Sequence, residues 1–246
     1  MARHIKDAEA GRPLGGLRRE YTRKDKAVNW WDYHKWWVYG GVIALILVGW
    51  MVHDLFFQAK PDYYVSYVVR QELPDETAYR LERALEELCG DRNGDGRVLV
   101  QVDQYILTFD EQDTALNDYY MTNSINQMLV SVANSEGSCI YILEDPAGFQ
   151  AKTGALQYLD GTLPPDGAED WENMVCRWSD CPGAASLELG TYFSSDSDSP
   201  DGLCPSQELF ECLYIGRRAA FDTQQRENCA AYDELWQALT TGALEQ

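Results

Sequence analysis

Residues 36–57 read WWVYGGVIALILVGWMVHDLFF, and the first seventeen of them carry no charged side chain. A helix needs about 20 apolar residues to cross roughly 30 Å of hydrocarbon, so this pattern predicts one transmembrane helix over residues 36–57. After Pro61 the pattern becomes that of a globular domain. Residues 63–70 (YYVSYVVR) form a β-rich run, and residues 74–89 repeat Ala78, Leu81, Leu85 and Leu88 at helical spacing. Residues 97–108 (RVLVQVDQYILT) read as a second strand. A helix over about residues 114–133 puts Met121, Ile125, Met128, Leu129 and Val132 on one face, and residues 138–143 (SCIYIL) form a third strand. Strand, helix, strand, helix, strand implies right-handed crossovers. The expected fold class is therefore α/β, with a mostly parallel sheet flanked by helices.

Past residue 143, Gly and Pro punctuate the chain. A helix is expected near 148–159, short strands near 171–178 and 187–193, a strand over 209–218, and a last helix near 228–240. That helix places Tyr232, Leu235, Trp236 and Leu239 on one face, with Gly242 as its cap.

Charge divides the chain into three parts. Residues 1–37 carry a net charge of +4 and residues 38–246 carry −24. Six basic residues from Arg18 to Lys35 precede the span, whereas Lys60 and Arg70 are the basic residues in the twenty after it. The positive-inside rule then predicts a basic cytoplasmic arm (1–35), a signal-anchor helix (36–57) and an extracytoplasmic domain (61–246) in the cell membrane. Trp30, Trp31, Tyr33, Trp36, Trp37 and Tyr39 suit an aromatic belt at the headgroup level. The expected partners are the lipid bilayer, a membrane protein or a small-molecule ligand. So acidic a domain repels phosphates, which argues against nucleic acid.

All seven cysteines come after the span, and four of them crowd between 176 and 212. Outside placement permits one or two disulfides in that cluster. Cys89 and Cys139 fall in a helix and a buried strand, which suits plain core residues.

The sharpest motif is DRNGDGRV at residues 91–98. Asp91, Asn93 and Asp95 offer oxygens at alternate positions, Gly96 suits the turn, and Arg97 offers a backbone carbonyl. Hard oxygen ligands in a tight loop are what calcium requires. The segment resembles an EF-hand or dockerin-type calcium loop over its first eight positions. It departs at the twelfth, where Val102 stands in place of a bidentate Glu. The resemblance implies calcium as a cofactor; an Asx-rich turn without metal is the alternative. A second acidic run supplies Asp196, Asp198 and Asp201, and reads as a solvated loop.

Arg217 and Arg218, at the end of a predicted strand, are the candidate ligand clamp for a carboxylate or phosphate. Ion pairing with nearby acids is the alternative. All three histidines lie before residue 54, which leaves the outer domain without His-based catalytic centres. A carboxylate-dependent hydrolase would have to draw on Glu144, Asp145, Asp170 and Glu172.

The strand and helix series over 63–143 looks like one lobe of a type 2 periplasmic-binding fold. The whole chain resembles single-pass, membrane-anchored extracytoplasmic proteins of Gram-positive bacteria. The first likeness, with the anchor, implies a membrane-anchored binding or scaffold module, calcium-stabilised at the 91–98 loop; the second implies no activity. An accessory subunit of a membrane complex is the alternative, with Gly40, Gly41, Ala44 and Gly49 as a small-residue face.

Overall fold

A computed structural model of the chain describes residues 22–57, 60–110, 118–195 and 201–242. The basic arm up to residue 21, residues 114–117 of the expected second helix, and Asp196 and Asp198 lie outside the described residues. The chain divides into two compact units, Met1–Gln58 and Ala59–Gln246.

The first unit holds α1 (Arg23–Phe57), a helix of 35 residues. Its Lys26–Val52 stretch is long and apolar enough to cross a membrane, and none of it is buried. The helix starts ahead of residue 36 because no Pro or Gly interrupts the chain between Arg23 and Gly40. The aromatic belt is consequently part of one continuous helix. Within it Trp30 stacks on His34 with ring centroids 4.9 Å apart.

The second unit begins with β1 (Tyr63–Val69), α2 (Asp75–Glu86), β2 (Val100–Ile106), α3 (Asp118–Ala133) and β3 (Ile140–Leu143). It continues through α4 (Pro146–Thr153), β4 (Val175–Arg177), α5 (Pro182–Ala185) and a two-stranded ribbon of β5 (Thr191–Phe193) and β6 (Leu203–Pro205). β7 (Tyr214–Arg217), α6 (Thr223–Ala230) and α7 (Asp233–Thr241) complete it. The single helix expected over 228–240 is two helices broken at Ala231 and Tyr232. Gly242, at φ 71°, caps the second by donating to the Ala238 carbonyl.

Five strands make one sheet in the order β2-β1-β3-β7-β4. The pairs β1·β2 and β1·β3 are parallel, with Val65 beside both Val102 and Ile140. The expectation of a mostly parallel sheet needs correction, because β7 runs antiparallel to both β3 and β4 and the sheet is mixed. The reason lies in the connections. After β3 the chain passes through α4 and crosses Arg218 at Leu156. It then climbs β4 and re-enters as β7 with Tyr214 opposite Leu143, at the end where β3 left. No second crossing of the sheet intervenes, so β7 must run in reverse.

Alternation along β1 divides the core. Tyr63, Val65, Tyr67 and Val69 join Leu81 and Leu85 of α2, with Tyr232, Leu235 and Leu239 from the C-terminal end. Val68 faces the other way, with Tyr105, Met128 of α3 and Phe149 of α4. Helices therefore cover both faces, as parallel crossovers on either side of β1 require.

The cysteine pairing also differs from expectation. Cys139 forms a disulfide with Cys229, whose Cα atoms are 5.4 Å apart, across 90 residues of sequence. Cys89, Cys176, Cys181, Cys204 and Cys212 are free. Cys139 is buried as expected, but it is a cross-link between the start of β3 and α6. Only the packing of α6 on that strand brings the two sulfurs together.

Candidate functional site

The 91–98 loop is held by its own oxygens. Asp91 accepts the Gly94 and Gly96 amides at 2.7 and 2.8 Å, Asn93 accepts Asp95 N–H at 2.9 Å, and Asp95 accepts Arg97 N–H at 2.9 Å. Gly94 and Gly96 sit at φ 74° and 83°, a region that disfavours a Cβ. From below, the buried carboxylate of Asp62 accepts Arg92 N–H at 3.1 Å, Asn93 N–H at 2.9 Å and Leu99 N–H at 3.0 Å. No feature of the sequence singles out Asp62.

As a donor set for calcium the loop supplies two carboxylates, one amide oxygen and the Arg97 carbonyl. Strand alternation decides where the side chains beyond Arg97 point. Val102 is buried beside Val65 on the α2 side, so Asp103 faces the α3 side and cannot stand in for the twelfth ligand. Among the described residues no three His, Cys, Asp or Glu side chains converge on one point.

Arg217 ends β7 and Arg218 follows it in extended backbone bridged to Leu156, so the two side chains project to opposite faces of the sheet. Arg217 pairs with Asp233 and lies over the Trp236 ring at 5.6 Å. Arg218 is 2% exposed and donates to the Asn134 carbonyl at 2.8 Å and the Val132 carbonyl at 2.6 Å. It thus satisfies carbonyls at the carboxyl end of α3, where a cation also meets the negative end of the helix dipole. The two arginines do not converge on one ligand.

Open α/β sheets usually receive ligands at the carboxyl ends of the strands, where the strand order reverses. Here that point lies between β1 and β3. Arg70 N–H donates to Glu144 at 2.7 Å across it, and the Arg70 guanidinium reaches Thr108 Oγ1 at 3.4 Å. The crevice there measures about 290 Å³. Asp145 caps α4 by accepting Gly148 N–H at 2.9 Å. The Tyr158 hydroxyl holds the Asp170 carboxyl below the ordinary carboxylate range, the opposite of what a general acid needs.

A roomier site lies toward the amino ends of the strands, on the α3 side. α3 packs on the sheet through Met121, Ile125, Met128, Leu129 and Val132, of which Met128 alone is fully buried, and its flank of Asn126, Gln127, Val130 and Ser131 stands over the sheet beside that contact. The sheet positions beneath are polar in turn: Tyr64 and Ser66 on β1, Asp103 and Tyr105 on β2. Together they leave a groove of about 480 Å³, in the size range of small-molecule sites. Ser66 Oγ donates to Ser138 Oγ at 2.8 Å, and burial raises the Tyr105 phenol, with Ser131 and Ser66 opposing. Gln101 donates to Asp103 at 2.7 Å.

Burial raises the Asp103 carboxyl above its ordinary value, with the Gln101 bond opposing. Burial also raises the Tyr64 phenol, and the nearby charges of Asp103 and Glu136 push the same way. A second basin of about 410 Å³ shares Tyr64 and Glu136 with the groove and runs on to Arg92 and Asn93 of the 91–98 loop. The sequence signal for this site was weak. Asp103 is a lone acid on a strand that also carries Gln101 and Gln104, and its neighbours come from β1, α3 and the turn before β3.

Compared with known proteins, the chain matches no protein-family model, no curated protein and no solved structure.

Proposed function

We propose that the protein is a membrane-anchored binding module, with α1 as its anchor and the groove between α3 and the β1·β2 face as its ligand seat. One observation carries this reading. Tyr64, Asp103 and Glu136 converge on a cavity in which a carboxylate is partly removed from water. A folded protein accepts that cost where a bound group will repay it.

The orientation of the anchor, with Ala59–Gln246 outside the cytoplasm, rests on the basic residues ahead of the span and on the Cys139–Cys229 bond, which suits an oxidising compartment. Calcium at the 91–98 loop is part of the same proposal. It is supported by alternating oxygens in a loop already curled by its own hydrogen bonds.

The test is a fragment-library titration of the full chain in lipid nanodiscs, read by broadening of the fragments' NMR signals. Fragments should bind the wild type and lose binding in Val130→Trp, which fills the groove from an exposed position of α3. If every fragment that binds is indifferent to Val130→Trp, the groove is not the seat. Protease added outside sealed, right-side-out vesicles should cut the Ala59–Gln246 unit; protection would reverse the orientation.

A further inference from the structure

We propose that the groove takes a small protonated organic amine, with its ammonium group between the Asp103 and Glu136 carboxylates and its apolar body against the Tyr64 ring and Val130. The inference rests on the reading of the groove as the ligand seat and adds the chemical class of the ligand.

The charges of the lining point one way. Among the described residues that line the groove, Asp103 and Glu136 are the only acids, and none is Lys, Arg or His. Arg218 lies on the same face of the sheet, but its guanidinium is engaged by the Val132 and Asn134 carbonyls. An anion entering here would meet two carboxylates of its own sign. A neutral ligand would leave those carboxylates unpaired while displacing the water that solvates them. A cation offsets both.

The non-charged surfaces fit the same ligand. Tyr64 offers a phenol ring to the groove, and a cation over the face of such a ring is attracted to its π electrons. Asn126 and Gln127 of α3 bring amide oxygens that accept the remaining N–H groups. Val130, 70% exposed, places an apolar side chain at the mouth, where the body of the ligand would cover it. A groove of about 480 Å³ holds an amine with a ring or short chain as its body. The acidic balance of residues 38–246, at −24, raises the local concentration of any such cation.

The experiment uses three probes of one shape and different charge: phenethylamine, 2-phenylethanol and 3-phenylpropanoate. Each is titrated calorimetrically into the full chain in nanodiscs of neutral lipid, at neutral pH, for wild type, Asp103→Asn, Glu136→Gln and Val130→Trp. Phenethylamine should bind roughly tenfold or more tightly than the alcohol, and the propanoate should not bind. Asp103→Asn should weaken the amine by about tenfold while leaving the alcohol unchanged. If the alcohol or the propanoate binds as well as the amine and is lost in Val130→Trp, the groove remains the seat and the amine class is wrong. If no probe shows binding that Val130→Trp abolishes, the seat itself is wrong and the amine falls with it.

Discussion

The carboxylate of Asp62 accepts the backbone N–H of Asn93 at 2.9 Å, tying the residue that leads into β1 to the centre of the 91–98 loop. With Arg92 and Leu99 it closes the base of that loop on a side chain only 4% exposed. Asp62→Ala should cost about 3 kcal/mol in urea unfolding, because the Leu99 N–H is left with no acceptor while water reaches the other two in part. Asp62→Asn should recover some of this, since its remaining oxygen still accepts. An unchanged unfolding midpoint in Asp62→Ala would remove Asp62 from the account of the loop.

Calcium at the loop makes a separate prediction. In the full chain, millimolar Ca²⁺ should raise the melting temperature over an EDTA control, and Asp95→Ala should abolish the rise without lowering the EDTA baseline by more than a small amount. Equal melting temperatures in the two buffers would dispose of the calcium site.

Arg217 and Arg218 should respond to truncation very differently despite their adjacency. Arg218→Ala removes two charge-assisted hydrogen bonds at the end of α3 and opens a cavity, with an expected cost of about 3 kcal/mol. Arg217→Ala loses a partly exposed pair and a ring contact, worth about 1 kcal/mol or less. Chemical denaturation of the two variants side by side tests this, and equal losses would contradict it.

The Cys139–Cys229 bond closes a loop of 90 residues. Replacing both cysteines by Ser should lower stability by roughly 2–5 kcal/mol. A strong reductant should lower the melting temperature of the wild type and leave that of the double variant unmoved. Mass spectrometry after blocking thiols on unreduced protein should find five labelled cysteines, the number free in the fold.

Asp103 gives the groove a pH signature. Burial raises its folded pKa above that of the unfolded chain, so the folded state holds the proton more tightly. Stability therefore falls as pH rises from the unfolded carboxylate range through the folded pKa, and the cost is absent below that window. Tyr64, Tyr105, Gln101 and Glu136 face the same space, and Glu136 is the other carboxyl among them. Asp103→Asn should accordingly melt higher than wild type at neutral pH, with the difference vanishing in acid. A variant that melts lower than wild type at neutral pH would show that the carboxylate stabilises the fold and is not held there at a cost.

Several elements were legible from residue pattern alone. The span is an unbroken apolar run, which no tertiary contact is needed to explain. The first three strands come from β-rich runs and their two helices from helical spacing, and the observed α2, with Leu81 and Leu85 buried, lies where that spacing puts it. Gly96 and Gly242 are in left-handed conformations at the turn and cap where their positions suggested them. The break at Ala231 and Tyr232 was not legible, because both flanking segments are polar enough to read as one amphipathic helix. Tyr232 turns inward there, and its hydroxyl lies 2.9 Å from the Tyr64 N–H, which donates to it.

Residue order was enough to specify a helix long and apolar enough to span a membrane, the α/β class, the helices on both faces and the curl of the 91–98 loop. These depend on residues within one or two turns of one another, where hydrophobic period and backbone sterics suffice. Packing in three dimensions was needed for the reversed β7, the Cys139–Cys229 pairing, the opposite fates of Arg217 and Arg218, and the meeting of Tyr64, Asp103 and Glu136. Each of these joins segments well separated along the chain. Such contacts are set by how the strands and helices stack, and the local pattern carries no record of them.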